Sequence, residues 1–206
     1  MFPRPALYVA LGLLMVVSII ELSYNGADHE LKGEPKNLIV DQGHTSNGAA
    51  GTAFVLIGCG GSLILWLRSR PNPNKFSIAL YYGWLVTNVL SLLLVLSALI
   101  YVFVVTNDHN GQRIDPRVAA GLDAGEKYPL QSWTPQNWYS AMLKLDLPDS
   151  SQRDDIESHL RIMRGWQYNL IPFFIVHLIE TCLALWDGAK RRKEHAYSPP
   201  THKSSV

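Results

Sequence analysis

Three ionisable side chains interrupt long apolar stretches of this chain: Glu21, His177 and Glu180. Titratable groups at membrane depth are costly, so they are the first place to look for function. His177 and Glu180 lie three residues apart and share one face of a helix. A histidine beside a carboxylate is the smallest acid–base pair that could work on a lipid-soluble substrate or carry a proton. A structural reading competes with that one. Asn88, next to Thr87, falls at comparable depth in another apolar stretch. An Asn88–His177 hydrogen bond would join two helices and contribute about 0.6–2 kcal/mol. His177 and Glu180 are therefore candidates only, and no catalytic residue is assigned.

Other chemistry is poorly represented. A membrane metal centre needs several His and carboxylate ligands from different helices. Here one His and two Glu lie at depth while the other histidines scatter through loops and tail, so no metal or cofactor is expected. There is no Gly-x-Ser-x-Gly frame for a nucleophile and no phosphate-cradling glycine loop. Gly51, Gly58 and Ser62 line one face of an apolar stretch, and Gly58 to Ser62 has the small-xxx-small spacing of close helix contact. The two cysteines, Cys59 and Cys182, sit within apolar runs, which suits small packing residues better than disulfides.

The elements that would position these residues follow from hydropathy. A bilayer core of about 30 Å needs roughly 20 apolar residues in a helix. Four segments qualify: 6–24, 49–67, 76–105 and 166–186. The third has no charge over its whole length. In lipid, backbone groups must be paired within the segment, so these are helices. The fold class is all-α, an integral membrane four-helix bundle, with residues 1–190 as one domain and 191–206 as a disordered basic cytoplasmic tail. Residues 1–24 also fit a cleavable signal peptide, but Glu21 to Asn25 offer no small-x-small cleavage site.

Charge sets the direction. Residues 1–5, 68–75 and 187–206 carry nine Lys and Arg against two acidic residues, whereas 25–48 and 106–165 carry nine against thirteen. Lysine and arginine mark the cytoplasmic side, so both termini are expected there, in the plasma membrane or an endomembrane of the secretory pathway. Trp66, Tyr81, Tyr82, Trp84 and Trp186 fall toward the cytoplasmic interface, and Tyr24, Tyr101, Trp166 and Tyr168 toward the outer one. A net charge of +1 gives no reason to expect nucleic acid.

The outer loop 25–48 reads as irregular. The longer loop, 106–165, carries two amphipathic helices. Thr134-Pro135 is an N-cap and first-turn proline, and behind it Trp138, Met142 and Leu145 share one stripe before Pro148. Ser151 and Asp154 start a second helix, with Ile156, Leu160 and Met163 on one face, Glu157–Arg161 as an i,i+4 pair and Gly165 as a bend. These helices form a small cap outside the membrane, or present Trp138, Met142 and Leu145 as an interaction face. A protein partner would thus enter through loop 106–165 or the basic tail, with the lipid bilayer as the constant partner.

Tyr101 to Thr106, then Gln112, Ile114 and Asp115, then Trp133-Thr-Pro-Gln-Asn-Trp138 and Met163 to Pro172 resemble a group of four-pass membrane proteins of filamentous ascomycete fungi. The resemblance covers about the second half of the chain and implies a fungal origin, with no activity or catalytic residue to carry over. Tetraspanins place their large loop similarly, but the cysteines that define it are missing. The leading functional expectation is a non-enzymatic scaffold or accessory subunit. The alternatives are a small membrane enzyme using His177 and Glu180, or an oligomeric transporter or channel subunit.

Overall fold

The computed structural model describes residues 3–25, 41–70, 74–115, 133–146 and 150–196. Among them there is no strand, and the elements are α1 (Pro3–Asn25), α2 (Asp41–Thr52), a π-helical segment (Ala53–Cys59), α3 (Gly60–Arg68), α4 (Lys75–Asp108), α5 (Pro135–Met142) and α6 (Ser150–Ala196). Four helical stretches are long and apolar enough to cross a membrane: Arg4–Ser23, Thr45–Arg68, Lys75–Asp108 and Ser150–Lys193. The protein is an all-α bundle of four such helices. Large apolar side chains such as Val9, Val86, Leu90, Ile100 and Ile179 are more than half exposed around its flanks. In water that surface would be strongly unfavourable; in a bilayer it is the ordinary outer face.

Packing obeys a heptad rule that the uniform apolarity of α4 hides. Apart from Leu85, its buried positions Ser77, Tyr81, Trp84, Asn88, Ser91, Val95, Ala98 and Val102 alternate steps of four and three, the seam of helices that wind gently about each other. On α6 the buried positions Phe173, His177, Glu180, Ala184, Asp187 and Arg191 keep the same rhythm. The two seams face each other in antiparallel register, pairing Tyr81 with Asp187, Asn88 with Glu180 and Ser91 with His177. Pro172 lies inside α6. There Leu170 and Phe173, three apart, are both fully buried. A proline removes one backbone donor, yet Trp166, Leu170, Phe173 and His177 keep the four-and-three spacing across it. The helix passes Gly165 without a break.

Several boundaries differ from the sequence reading. Span two starts at Asp41, inside the stretch read as an irregular loop, and α6 runs to Ala196, so 191–196 are helical rather than tail. Residues 26–40, 116–132, 147–149 and 197–206 lie outside the described residues. At the ends of the bundle, Trp66, Tyr82, Tyr168 and Trp186 are exposed as an interfacial belt requires, but Tyr81, Trp84 and Trp166 are buried in the core. Cys59 and Cys182 are free and exposed on the outer surface rather than packed inside.

Small residues bring span two against its neighbours. A Cβ on Gly58 would lie 2.5 Å from Met15 Cγ, and one on Gly61 would lie 2.7 Å from three indole atoms of Trp84. Gly51 has nothing within 4 Å, and Ser62 is half-buried. The π segment between Gly51 and Gly61 explains the change of face, because its wider turn rotates all that follows relative to an unbroken α-helix.

The cap is held at the opposite end from Arg68 and Lys75. Thr134 caps α5 by accepting from Asn137 N (3.3 Å), and Pro135 occupies the first turn. Gln136 and Asn137 reach outward to the carbonyls of Met163 (3.3 Å) and Thr106 (2.8 Å). Trp138 is 5 % exposed, while Met142 and Leu145 are half-buried. The Trp-Thr-Pro-Gln-Asn-Trp segment thus fastens the cap to both long helices. Leu145 lies in the turn beyond α5, which ends at Met142. Ile156, Leu160 and Met163 are buried beneath it. Arg153, not Arg161, faces Glu157 (3.6 Å). Replacing Trp138 by Ala should cost about 3 kcal/mol, the loss for a buried aromatic. Thermal unfolding in detergent measures this, and an unchanged melting point would mean that the cap is held elsewhere.

Candidate functional site

The polar residues of the bundle collect in three rungs along α6, two of them facing α4 and one facing α1. The middle rung contains both candidates. Asn88 Nδ2 donates to Glu180 Oε1 (2.9 Å), and Thr181 Oγ1 donates to Asn88 Oδ1 (2.7 Å). His177 Nε2 lies 2.9 Å from Ser91 Oγ, one turn along. Its Nδ1 is 3.6 Å from Glu180 Oε2 and 3.5 Å from Thr181 Oγ1. Asn88 and His177 therefore belong to one cluster, but they are not bonded to each other. The antiparallel register sets Asn88 opposite Glu180 and carries His177 on to Ser91. The ring of Phe173 stacks on His177 from the cap side (6.5 Å between centroids).

This cluster is sealed. Asn88, His177 and Glu180 are each 0 % exposed, with Ser91 at 2 % and Thr181 at 3 %. A proton donor or acceptor must approach within hydrogen-bond reach of its substrate, and no surface of these three residues is accessible. Along α6, Leu170 and Phe173, both 0 % exposed, lie between the rung and Asn169, and Ala184 lies between it and Asp187. Glu180 Oε2 has no hydrogen-bond partner. It faces His177 Nδ1 at 3.6 Å, so the carboxyl and the imidazole hold one another between the helices.

The rung nearest the cap joins α1 to α6. Asn169 Nδ2 donates to Glu21 Oε2 (2.8 Å), and Glu21 is fully buried. Beside it Phe103 and Tyr168 meet edge to face at 5.9 Å. Among the described residues no three His, Cys, Asp or Glu side chains group closely enough to hold a metal ion.

Compared with protein-family models, with curated proteins and with solved structures, the chain has no match in any of the three. The site must therefore be read from its own geometry.

One open polar feature lies at the cap. A cleft of about 430 Å³ runs between the ends of α4 and α5 and the start of the membrane part of α6. Five amide side chains face it, Asn107, Asn110, Gln136, Asn137 and Gln167, together with one cation, Arg164. Gln136 Oε1 and Thr106 Oγ1 are buried there without hydrogen-bond partners among the described residues. Amides and unsatisfied acceptors suit a ligand rich in N–H and O–H groups, such as an extended peptide backbone. No local sequence pattern announced this cleft, since its lining comes from three distant segments.

Proposed function

We propose that the protein is a non-enzymatic integral membrane scaffold or accessory subunit, with its partner engaged at the cap. The observation that carries this reading is the sealing of His177, Glu180 and Asn88 at 0 % exposure. Groups that could perform chemistry are spent on joining helices, whereas the accessible polar groups face the cleft. The basic turn around Arg68 and Arg70 and the Lys190–Lys193 run support placing both termini in the cytoplasm, which leaves the cap and its cleft outside or in a lumen. The resemblance to four-pass proteins of filamentous fungi belongs to the same reading.

Purification of the tagged protein from native membranes, with mass-spectrometric identification of what accompanies it, tests this. The expected result is a stoichiometric protein partner that is lost on Arg164→Glu, a change at the cleft, and retained on His177→Ala. A co-purified small lipid that the purified protein converts, with loss of turnover in Glu180→Gln, would favour the membrane enzyme and overturn the scaffold. Topology has its own check. A tag after Val206 should resist protease in sealed spheroplasts or right-side-out vesicles, while a tag at the cap near Gly111 is cleaved. The reverse pattern would refute the charge rule here.

A further inference from the structure

The third rung lies at the other end of the bundle, and its charges do not balance. Tyr81 Oη donates to Asp187 Oδ2 (2.8 Å), and Arg191 Nε donates to the same oxygen. Arg191 and Arg68 both sit over the Tyr81 ring, with guanidinium carbons 5.4 and 5.9 Å from its centroid. Two guanidinium groups thus lie against one ring, while the carboxylate beside it, Asp187, is engaged by Tyr81 and Arg191. Arg68 is only 5 % exposed, and its Nε and Nη1 are buried without a hydrogen-bond partner among the described residues. A buried guanidinium with unfilled donors is strongly unfavourable unless an anion meets it.

Position narrows the anion. Arg68 is the last residue of α3, and the chain turns outward directly beyond it through the exposed Ser69 and Arg70. Trp66 and Trp186, both more than half exposed, mark the same level as an aromatic belt, where headgroups lie. Lys190, Arg192 and Lys193 are exposed nearby on α6 and add positive potential. Gly188 keeps the rung compact, since a Cβ there would lie 2.7 Å from Leu85 Cδ1. Cation–π contact with Tyr81 holds both arginines but offers no acceptor for their N–H groups.

We propose that Arg68, backed by Arg191 and Tyr81, is a binding site for a phosphate group, supplied by an anionic phospholipid of the leaflet on that side. Guanidinium matches phosphate oxygens in a planar two-bond arrangement, and a phosphodiester at this depth would neutralise the excess charge. The site is separate from the cap cleft and does not depend on the scaffold reading.

The full-length protein, reconstituted into nanodiscs of phosphatidylcholine with or without phosphatidylglycerol, provides the test. Native mass spectrometry after mild detergent release counts the lipids retained. Wild type should keep phosphatidylglycerol in preference to phosphatidylcholine, and Arg68→Gln should reduce that retention about tenfold or more, as expected for losing charged hydrogen bonds. Arg70→Gln, at an exposed residue stacked on Trp66 (4.5 Å), should leave it unchanged. Stabilisation by inorganic phosphate equal to that by phosphatidylglycerol, and lost in Arg68→Gln, would keep the phosphate site and assign it to a soluble source. Equal losses in both variants would mean diffuse charge and overturn the proposal. If Arg68→Gln does not fold, wild type alone decides: no preference for phosphatidylglycerol and no response to phosphate overturns it as well.

Discussion

Asn88→Leu should lower the stability of the detergent-solubilised protein by about 2 kcal/mol. Asn88 makes two hydrogen bonds at once, giving to Glu180 and accepting from Thr181. Without it, the carboxyl of Glu180 stays fully buried and loses the donor at Oε1, while Oε2 already lacks one. Single hydrogen bonds between membrane helices average only about 0.6 kcal/mol, because helices apart in lipid find other partners. An acid left stranded between helices is a larger penalty, of about 1–3 kcal/mol or more. The second effect should win. A double replacement, Asn88→Leu with Glu180→Leu, removes donor and acceptor together and should recover more than half of the loss, since apolar packing replaces buried polar pairs well. Thermal or denaturant unfolding of the four proteins of this cycle reads the outcome. If the double variant is as unstable as the sum of the singles, Asn88 and Glu180 are not coupled, and the middle rung is not a helix clip.

The middle rung also shows what the sequence could and could not reveal. The four spans were legible because apolar runs of that length have one solution in lipid, and the cap start was legible because Thr134-Pro135 is a local signal. The depth match that drew attention to Asn88 and His177 was sound, but their partners depend on a register between helices about ninety residues apart. Hydropathy alone does not betray that register in α4, since apolar side chains line both its lipid-facing and its buried faces. Its polar residues held the clue. Ser77, Tyr81, Asn88 and Ser91 all fall on the heptad seam, and the same spacing links His177, Glu180, Asp187 and Arg191 on α6. Asp187 and Arg191 read in sequence as cytoplasmic-side charges beyond the last span, yet both are buried beside Tyr81. The π segment was not legible, because its sequence Ala53–Cys59 is an ordinary apolar stretch.

That segment borders the position where a side chain added to a glycine should cost most. Trp84 Nε1 donates to the carbonyl of Ile57 (3.3 Å), a residue inside the π turn. The indole can approach so closely only because Gly61 has no side chain. A Cβ there would meet Trp84 Nε1, Cε2 and Cζ2 at 2.7 Å, all atoms of a rigid ring. Tyr81, tilted against Trp84 at 6.0 Å between centroids, limits retreat on one side. Gly61→Val should therefore cost about 3 kcal/mol, combining overpacking of about 1–3 kcal/mol with the loss of a buried hydrogen bond of about 1 kcal/mol. Gly51→Ala, in open space on the same span, should be neutral or stabilising by about 0.5–1 kcal/mol from helix propensity. Trp84→Leu should relieve much of the Gly61→Val penalty by vacating the ring's volume. Melting curves of these variants in one detergent compare them directly. If Gly51→Ala proves the harmful change and Gly61→Val the tolerated one, the contact face of span two is that of an unbroken α-helix, and the π turn does not set it.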